Sequence, residues 1–260
     1  MLETVIKVPI VTVITPVFNG EKFLTETIES VLNQTLVNFE YIIVDDASTD
    51  QTFEIINKFK KKDKRIKIVK LNKNVGPITA RNLAIDKSKG IFIAFIDADD
   101  LWHPEKLNIQ IKEMQEFDLN FTYTNFEIFR NKNTNRRKKV VCPKKYYLST
   151  LFSNSGIALS SVIYKRDYNN LIRFADGIPY TEFDLYFSLI ALYEKGNLIN
   201  KTLLSYRHHN NSLSLNRIKV LKTMYFIYRK KLKFSVFLSV IFISQISFNS
   251  IGRQIKRLIV

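Results

Sequence analysis

Carboxylates and hydroxyls collect in three short segments of this sequence, each directly after an apolar run. The segments are 15–19 (Thr-Pro-Val-Phe-Asn), 45–50 (Asp-Asp-Ala-Ser-Thr-Asp) and 97–100 (Asp-Ala-Asp-Asp). Capping of a helix needs one polar residue, whereas five of the six residues at 45–50 are polar. Three carboxylates within four residues repel one another unless a cation or hydrogen-bond donors compensate. The segments therefore predict a metal-binding or ligand-binding site rather than caps and turns alone.

Phosphate is the chemistry that such a carboxylate cluster suits best. Mg²⁺ and Mn²⁺ keep open coordination positions that phosphate oxygens can fill. The glycine-rich alternatives are missing, since neither G-x-G-x-x-G after the first strand nor G-x-x-x-x-G-K-[ST] occurs. A dinucleotide dehydrogenase or a P-loop nucleotide hydrolase therefore loses its main support, and we expect basic side chains such as Arg81 to help bind phosphate.

The elements that must position these segments alternate between strand and helix. Apolar, β-branched runs predict strands at 10–15, 41–44, 66–71 and 91–96. Helical periodicity, with two proline-led starts, predicts helices at 21–32, 50–60, 77–84 and 104–117. This order indicates an α/β fold with a mostly parallel sheet and helices on both faces, in which ligands bind beyond the carboxyl ends of the strands.

The charge of the chain is concentrated in two places. The 260 residues are 46% hydrophobic and carry a formal net charge of +16, which argues against a disordered chain. Segments 130–145 and 195–260 hold eight and thirteen basic residues and no acid, while the rest has 19 basic and 24 acidic residues, a net −5. A single cysteine, Cys142, excludes a disulfide framework and suits a reducing, cytoplasmic setting.

The C-terminal segment 216–260 has an amphipathic pattern followed by an apolar run at 234–248. The predicted apolar stripe consists of Ile218, Leu221, Tyr225, Tyr228 and Leu232. A fifteen-residue helix is about 22 Å long, short of the roughly 30 Å hydrocarbon core of a bilayer. We therefore expect this segment to lie on an anionic membrane surface rather than to cross it. Packing on the body of the protein, or on a partner in a homodimer, is the alternative.

Two other functions compete with a phosphate-handling enzyme of this fold. A nucleic-acid-binding protein would have basic and aromatic residues interleaved within a recognisable module. Here the basic stretches flank an acidic cleft instead. A nucleotidyltransferase could use the same sheet and carboxylates, but it generally has a glycine-rich phosphate loop, which 16–20 does not provide. We therefore expect no nucleic-acid partner. For segment 130–145, a solvated loop between two strands is the simplest interpretation, and a surface facing a membrane or a lipid-diphosphate acceptor is the alternative.

Taken together, the motifs resemble those of the family 2 glycosyltransferases of GT-A fold. The motifs that match are 15–19, 44–50, 76–82 and 97–100, and their order and spacing make the combination specific. Further matches at 101–107, 121–124 and 206–214 are similar to bacterial members that build surface polysaccharides, including the teichuronic acid type. The resemblance implies a glycosyltransferase domain over 1–215, with a nucleotide-sugar half at 8–118 and an acceptor half at 119–215. The segment 216–260 would follow as the membrane-association tail.

The resemblance also implies a donor site, residue by residue. Thr15, Phe18 and either Asp45 or Asp46 would bind the nucleotide base and ribose, with Phe18 offering an aromatic face. Arg81 would lie near the nucleotide or its diphosphate.

The DxD element would be formed by Asp97 and Asp99. The resemblance implies that Asp97 faces the ribose and the metal shell and that Asp99 binds Mg²⁺ or Mn²⁺ on the diphosphate. Arg207 and His209 would contact the diphosphate or the metal from the other side. A purely structural histidine is the alternative for His209.

The acceptor side departs from the family, which usually has Glu-Asp. Here segment 181–186 reads Thr-Glu-Phe-Asp-Leu-Tyr, which puts Glu182 at the general-base position, with Asp184 as its rival. The alternative is that both acids only occupy a helix N-terminus, where acids are favoured. The implied reaction is an inverting, single-displacement transfer from a nucleoside-diphosphate sugar, UDP-linked, to a growing surface glycan or lipid-linked acceptor. We expect it on the inner, cytoplasmic face of the cell membrane, with the protein bound peripherally.

Overall fold

The apolar runs of the N-terminal half form the middle of one large sheet. The computed structural model describes residues 8–130, 137–152, 156–175, 182–208 and 217–244. The four predicted strands are confirmed, with ends within two residues: β1 Val11–Val17, β2 Phe39–Asp45, β3 Ile66–Lys70 and β4 Phe92–Phe95. Every residue of β1, β2 and β4 is buried, because helices cover both faces of the sheet, which explains why these runs are continuously apolar instead of alternating.

The four predicted helices connect these strands and are also confirmed. They are α1 Leu24–Leu32, α2 Thr52–Lys62, α3 Pro77–Lys87 and α4 Lys106–Glu116. Helix α3 begins at its proline, directly after Gly76, whose φ of 86° lies in the left-handed region that glycine tolerates. Helix α4 begins two residues after Pro104, later than predicted, because the Pro104 carbonyl is occupied by the backbone N–H of Thr35 at 2.9 Å.

The second half of the chain extends the same sheet with strands of both directions. The described strands there are β5 Leu101–Trp102, β6 Phe121–Phe129, β7 Lys138–Val140, β8 Lys145–Tyr146, β9 Ile163–Lys165 and β10 Gly196–Arg207. The helices there are α5 Leu148–Phe152, a 3₁₀ turn Leu159–Ser161 and α6 Glu182–Tyr193. The strand order is β3-β2-β1-β4-β9-β6-β10-β5, with β7 on β6 and β8 on β10.

The strand directions bring the chemistry to one edge of the sheet. Strands β3, β2, β1 and β4 are parallel, and β9 is antiparallel to both β4 and β6. The two reversals across β9 cancel, so β6 and β10, which are parallel to each other, run in the direction of β4. The carboxyl end of β10 at Arg207 therefore lies at the same edge as the ends of β1, β2 and β4.

The basic segment 130–145 is more ordered than a solvated loop where the structure describes it. Residues Lys138–Val140 form β7, and Arg137 makes an ion pair with Glu127 of β6. Lys138 and Lys139 are exposed to solvent. Residues 131–136 lie outside the described part of the chain.

The described part of the tail is a helical hairpin that packs on the body. Helix α7 Arg217–Phe226 continues as a π-helical turn, Ile227–Lys231, the chain turns at Lys233 (φ 53°), and helix α8 covers 236–244. Its buried core consists of Met224, Ile227 and Tyr228, with Phe183 of α6, Leu232, Phe234, Phe242 and Ile243 packed around it. Tyr228 lies on the buried face as predicted, whereas Tyr225 is exposed, because the face that meets α6 is rotated from the predicted stripe.

Within the described ranges, no helix is long and apolar enough to cross a membrane. The predicted domain boundary at 215–216 lies outside the described residues, and it stays a prediction.

Candidate active site

Two loops at the sheet edge are joined into one wall. The loop after β1 and the loop after β2 exchange hydrogen bonds: the N–H of Asn19 donates to Ser48 Oγ (3.0 Å) and the N–H of Thr49 donates to Asn19 Oδ1 (2.8 Å). Asn19 and Ala47 both have positive φ, 51° and 61°, which turns each loop sharply away from its strand. The five polar residues at 45–50 therefore brace a surface, which goes beyond capping α2.

Asp45 offers an acceptor that nothing in the described chain uses. The side chain is fully buried at the end of β2, and its Oδ1 accepts from the N–H of Ser48 (3.1 Å). Its Oδ2 is buried without a hydrogen-bond partner among the described residues. Phe18, at the end of the neighbouring strand, is 50% exposed. An unpaired acceptor beside an open aromatic face suits a flat ligand with an N–H donor, such as a nucleotide base.

Asp46 and Thr15, two further predicted nucleotide contacts, have protein partners instead. The two carboxylate oxygens of Asp46 accept from the N–H groups of Val75 (2.7 Å) and Gly76 (2.8 Å), which fixes the loop that begins α3. The hydroxyl of Thr15 is buried and donates to the carbonyl of Ile96 (2.8 Å). The structure thus favours Asp45 over Asp46 as the residue that faces a ligand.

The three carboxylates of the turn 97–100 differ in burial and in their hydrogen-bond partners. Asp100 is fully buried, and its Oδ2 accepts from Ser160 Oγ (2.6 Å) while its Oδ1 accepts from the N–H of Arg207 (2.9 Å). Burial, and then the charges of Asp99 and Asp97, raise the pKa of Asp100 well above its ordinary value. Asp97 and Asp99 are partly exposed at the site. Asp100 therefore anchors the turn, and the other two present their carboxylates.

Arg207 fastens this turn from the end of β10. Its guanidinium lies between the rings of Phe23 and Phe129, 4.4 and 4.5 Å from their centroids. The same group donates to the Asp99 carbonyl through Nε (2.7 Å) and pairs with Glu26 through a terminal nitrogen (2.8 Å). Arg207 is thus a positioning residue in this structure, and its predicted contact with the diphosphate stays a prediction.

Arg81 of α3 forms an ion pair with Asp97, two residues after the end of β4. A terminal nitrogen of Arg81 lies 2.6 Å from Asp97 Oδ1, and its Nε is buried without a partner among the described residues. Glu182, the first described residue of α6, is partly buried. Burial raises the pKa of Glu182, the positive charge of Arg81 opposes that rise, and the negative charge of Asp97 adds to it. Asp97, Arg81 and Glu182 therefore share one electrostatic centre.

Asp184, the alternative candidate for the general base, binds the protein backbone. Its side chain is fully buried, and Oδ2 accepts from the N–H of Ala175 (2.8 Å). The neighbouring Phe174 exchanges two backbone hydrogen bonds with the side chain of Asn82, at 2.9 and 3.0 Å. Asp184 thus helps to fix the segment that packs on α3, and the choice between Glu182 and Asp184 as the base stays a prediction.

A divalent ion at this site would need ligands from the protein and from a substrate together. Among the described residues, no group of three or more His, Cys, Asp and Glu side chains could hold a metal ion. Asp97 and Asp99 still provide two carboxylates, and Mg²⁺ is commonly bound by one or two carboxylates together with substrate phosphates. His209 lies outside the described residues. The donor set therefore fits an ion that arrives with a phosphate ligand better than a fully protein-bound ion.

Comparison with known proteins identifies the family. Residues 12–173 match the family model described as Glycosyl transferase family 2. The chain belongs to this family. TuaG of Bacillus subtilis (strain 168), whose name ties it to teichuronic acid biosynthesis, is 33% identical over 222 residues, covering 85% of this chain and 88% of TuaG. The Escherichia coli UDP-Glc:alpha-D-GlcNAc-diphosphoundecaprenol beta-1,3-glucosyltransferase WfgD is 34% identical over 217 residues, covering 82% and 83%.

Solved structures show that this glycosyltransferase has the GT-A fold. S. aureus TarS 1–349 in complex with UDP-GlcNAc superposes with a TM-score of 0.71 at 21% identity, covering 93% of this chain and 72% of that one. The mannosyltransferase PcManGT from Pyrobaculum calidifontis, in complex with GDP-Man and Mn²⁺, gives 0.64 at 16% identity, covering 87% and 65%. The predicted family, fold and enzyme class are confirmed.

Glu26 and Arg207 form a pair beside the turn 97–100 that sequence patterns did not reveal. Glu26 and Arg207 are separated by 181 positions, so no local spacing connects them. The one available signal is that Phe23 and Glu26 are three residues apart, which places them on the same face at the start of α1.

The neighbouring acids Asp45 and Asp46 should differ sharply in their contribution to stability. Asp46→Asn should lower the free energy of unfolding by about 1–3 kcal/mol, because an amide NH₂ would replace an oxygen that accepts a backbone N–H. Asp45→Asn should leave it unchanged or raise it, because Oδ2 has no donor to lose. Urea denaturation of both variants measures the difference. Equal losses would contradict the assigned division.

Proposed function

We propose that this glycosyltransferase moves a sugar from a UDP-sugar to a surface glycan or a lipid-linked acceptor, with inversion at the anomeric carbon. The observation that carries the proposal is the ion pair of Arg81 and Asp97 at the edge where β1, β2 and β4 end, and the charges of both groups act on the pKa of Glu182. The relatives support the substrate class: WfgD is named for UDP-Glc and a diphosphoundecaprenol-linked acceptor, and the TarS structure contains UDP-GlcNAc.

The donor would bind along the joined loops. The unpaired Oδ2 of Asp45 would accept the N–H of uracil, and Phe18 would lie against the base. Arg81 would lie near the diphosphate, with its buried Nε as a free donor. Asp97 and Asp99 would hold Mg²⁺ or Mn²⁺, which would offset the negative charge of the departing diphosphate.

The chemical step needs one base on the acceptor side. As the acceptor hydroxyl oxygen forms its bond to the anomeric carbon, its proton passes to the Glu182 carboxylate. The bond between the anomeric carbon and the phosphate oxygen breaks on the opposite face, and UDP leaves with that electron pair. A single displacement of this kind inverts the anomeric centre. A raised pKa makes Glu182 a stronger base than a solvent-exposed glutamate.

The tail provides a surface that fits an anionic membrane on the cytoplasmic side. Helix α8 exposes five large apolar side chains: Val236, Phe237, Leu238, Val240 and Ile241. Arg229, Lys230 and Lys233, just before α8, are exposed as well. Apolar side chains next to basic ones are typical of a helix that lies in the interface of an anionic bilayer, where a lipid-linked acceptor would be located. A second copy of the chain is the competing occupant of this face.

Glu182→Gln should abolish sugar transfer while leaving UDP affinity nearly unchanged. The amide keeps the size of the side chain but cannot accept the proton, so we expect transfer to fall by at least about 10²–10⁴-fold. Product formation from UDP-sugars and UDP binding by calorimetry measure the two effects. Asp184→Asn is the companion variant: its amide oxygen can still accept from the N–H of Ala175, so it should stay folded and keep sugar transfer. Full transfer by Glu182→Gln, with a stable but inactive Asp184→Asn, would move the base to Asp184.

The dependence of kcat on pH should show the raised pKa of Glu182. The base must be deprotonated, so kcat should fall as the pH drops through a pKa above the ordinary glutamate value of 4.5. A pH series of initial rates at saturating donor gives the acidic limb. A constant kcat down to pH 4.5, in enzyme that stays folded, would contradict this assignment.

Binding to vesicles should depend on the apolar face of α8. Phe237→Ser combined with Val240→Ser should reduce co-sedimentation with phosphatidylglycerol vesicles several-fold, because two exposed apolar anchors are removed. Phe117→Ser is the matched control, since Phe117 is 60% exposed on the body of the protein and should not affect binding. Unchanged vesicle binding, with loss of a dimer in light scattering, would assign this face to a second copy of the chain.

A further inference from the structure

Tyr186 lies next to the proposed base and is held rigidly. It follows Glu182 by four residues on α6, so both side chains lie on one face of the helix, one turn apart. The Tyr186 ring is stacked on Phe121 (centroids 6.4 Å apart, planes 18° apart) and meets Tyr146 edge-on (5.7 Å, 78°). Only 3% of the residue is exposed. This packing fixes the direction of the phenolic hydroxyl.

The hydroxyl of Tyr186 has no partner of its own. It is buried, and no hydrogen bond reaches it from the residues that the structure describes. A buried hydroxyl without a partner is destabilising, whereas phenylalanine would pack in the same aromatic cluster without that penalty. The phenol therefore costs stability in the free protein, which is a common feature of groups that bind a ligand.

The charges around this hydroxyl belong to the proposed active site. Burial raises the pKa of Tyr186 well above its ordinary value, and the charges of Glu182 and Asp97 raise it further while Arg81 opposes them. The hydroxyl therefore keeps its proton and is available as a hydrogen-bond donor. Tyr146, which meets the ring edge-on, also raises this pKa, and the other three groups, Glu182, Asp97 and Arg81, are those that surround the transferred sugar in the proposed reaction.

We propose that the Tyr186 hydroxyl donates a hydrogen bond to a sugar hydroxyl beside Glu182 and so helps to select the sugar. This inference rests on the proposed function. The hydroxyl that accepts the bond could belong to the donor sugar or to the acceptor sugar, and both present the same chemistry. A site that contains a buried polar group discriminates strongly against a substrate that lacks the matching group, because the protein group is then left unpaired.

Tyr186→Phe tests the proposal with two reactions. UDP-Glc and UDP-GlcNAc are assayed first for hydrolysis by water, which requires only the donor, and then for transfer to a GlcNAc-diphosphate lipid. If the partner is a donor hydroxyl, kcat/KM should fall about tenfold or more in both reactions. If it is an acceptor hydroxyl, only transfer should fall. UDP affinity should not change in either case, and the melting temperature should stay the same or rise.

The matched control is Tyr193→Phe on the same helix. The Tyr193 hydroxyl donates to the carbonyl of Lys165 (2.7 Å), so its loss should lower the melting temperature slightly and leave kcat/KM unchanged. Unchanged kcat/KM for both reactions in Tyr186→Phe would overturn the proposal, and so would a lowered melting temperature, which would indicate a structural role. If the wild-type enzyme transfers no sugar from either donor while it still binds UDP, the proposed donors are wrong and this inference fails with them.

Discussion

The ion pair between Arg81 and Asp97 is the contact on which the rest of the site depends. Arg81 comes from α3 and Asp97 from the end of β4, and their side chains are 8% and 32% exposed, so water screens the pair only in part. Glu182 on α6 is within the field of both groups. The positive charge of Arg81 lowers the pKa of Glu182 while the negative charge of Asp97 raises it. Arg81 therefore pairs with one acid and moderates the basicity of the other.

Three buried acids in this enzyme bind backbone N–H groups, and two further acids are proposed to meet the ligand. Asp46, Asp100 and Asp184 are buried and accept backbone N–H groups, so they fix loops in place. Asp45 has a buried oxygen without a partner among the described residues, and Glu182 has a raised pKa. We propose that both groups contact the substrate. The reactive groups can be held accurately because the buried acids next to them in sequence anchor the backbone. Arg207 completes the anchoring from the far strand.

Apart from the two-residue strand β5, the strand and helix pattern of the first 117 residues could be predicted because each element forms from local periodicity. The insertion of β9 between β4 and β6 could not, because three residues, Ile163–Lys165, contain no pattern that specifies which strands they join. The ion pair of Arg207 and Glu26 joins residues 181 positions apart, which the spacing of residues within one element cannot predict. In the tail, helical periodicity predicted the hairpin's amphipathic character, but the buried face is set by Phe183, a residue of α6.

The central claim is that the transferred sugar lies between Glu182 and the ion pair of Arg81 and Asp97. A crystal structure of the Glu182→Gln variant with an intact UDP-sugar and Mn²⁺ tests it most directly. The account predicts uracil against Asp45, the diphosphate beside Arg81 and Asp99, and the anomeric carbon facing the side chain at position 182. A donor whose anomeric carbon points away from position 182, or a nucleotide bound away from the end of β2, would contradict it.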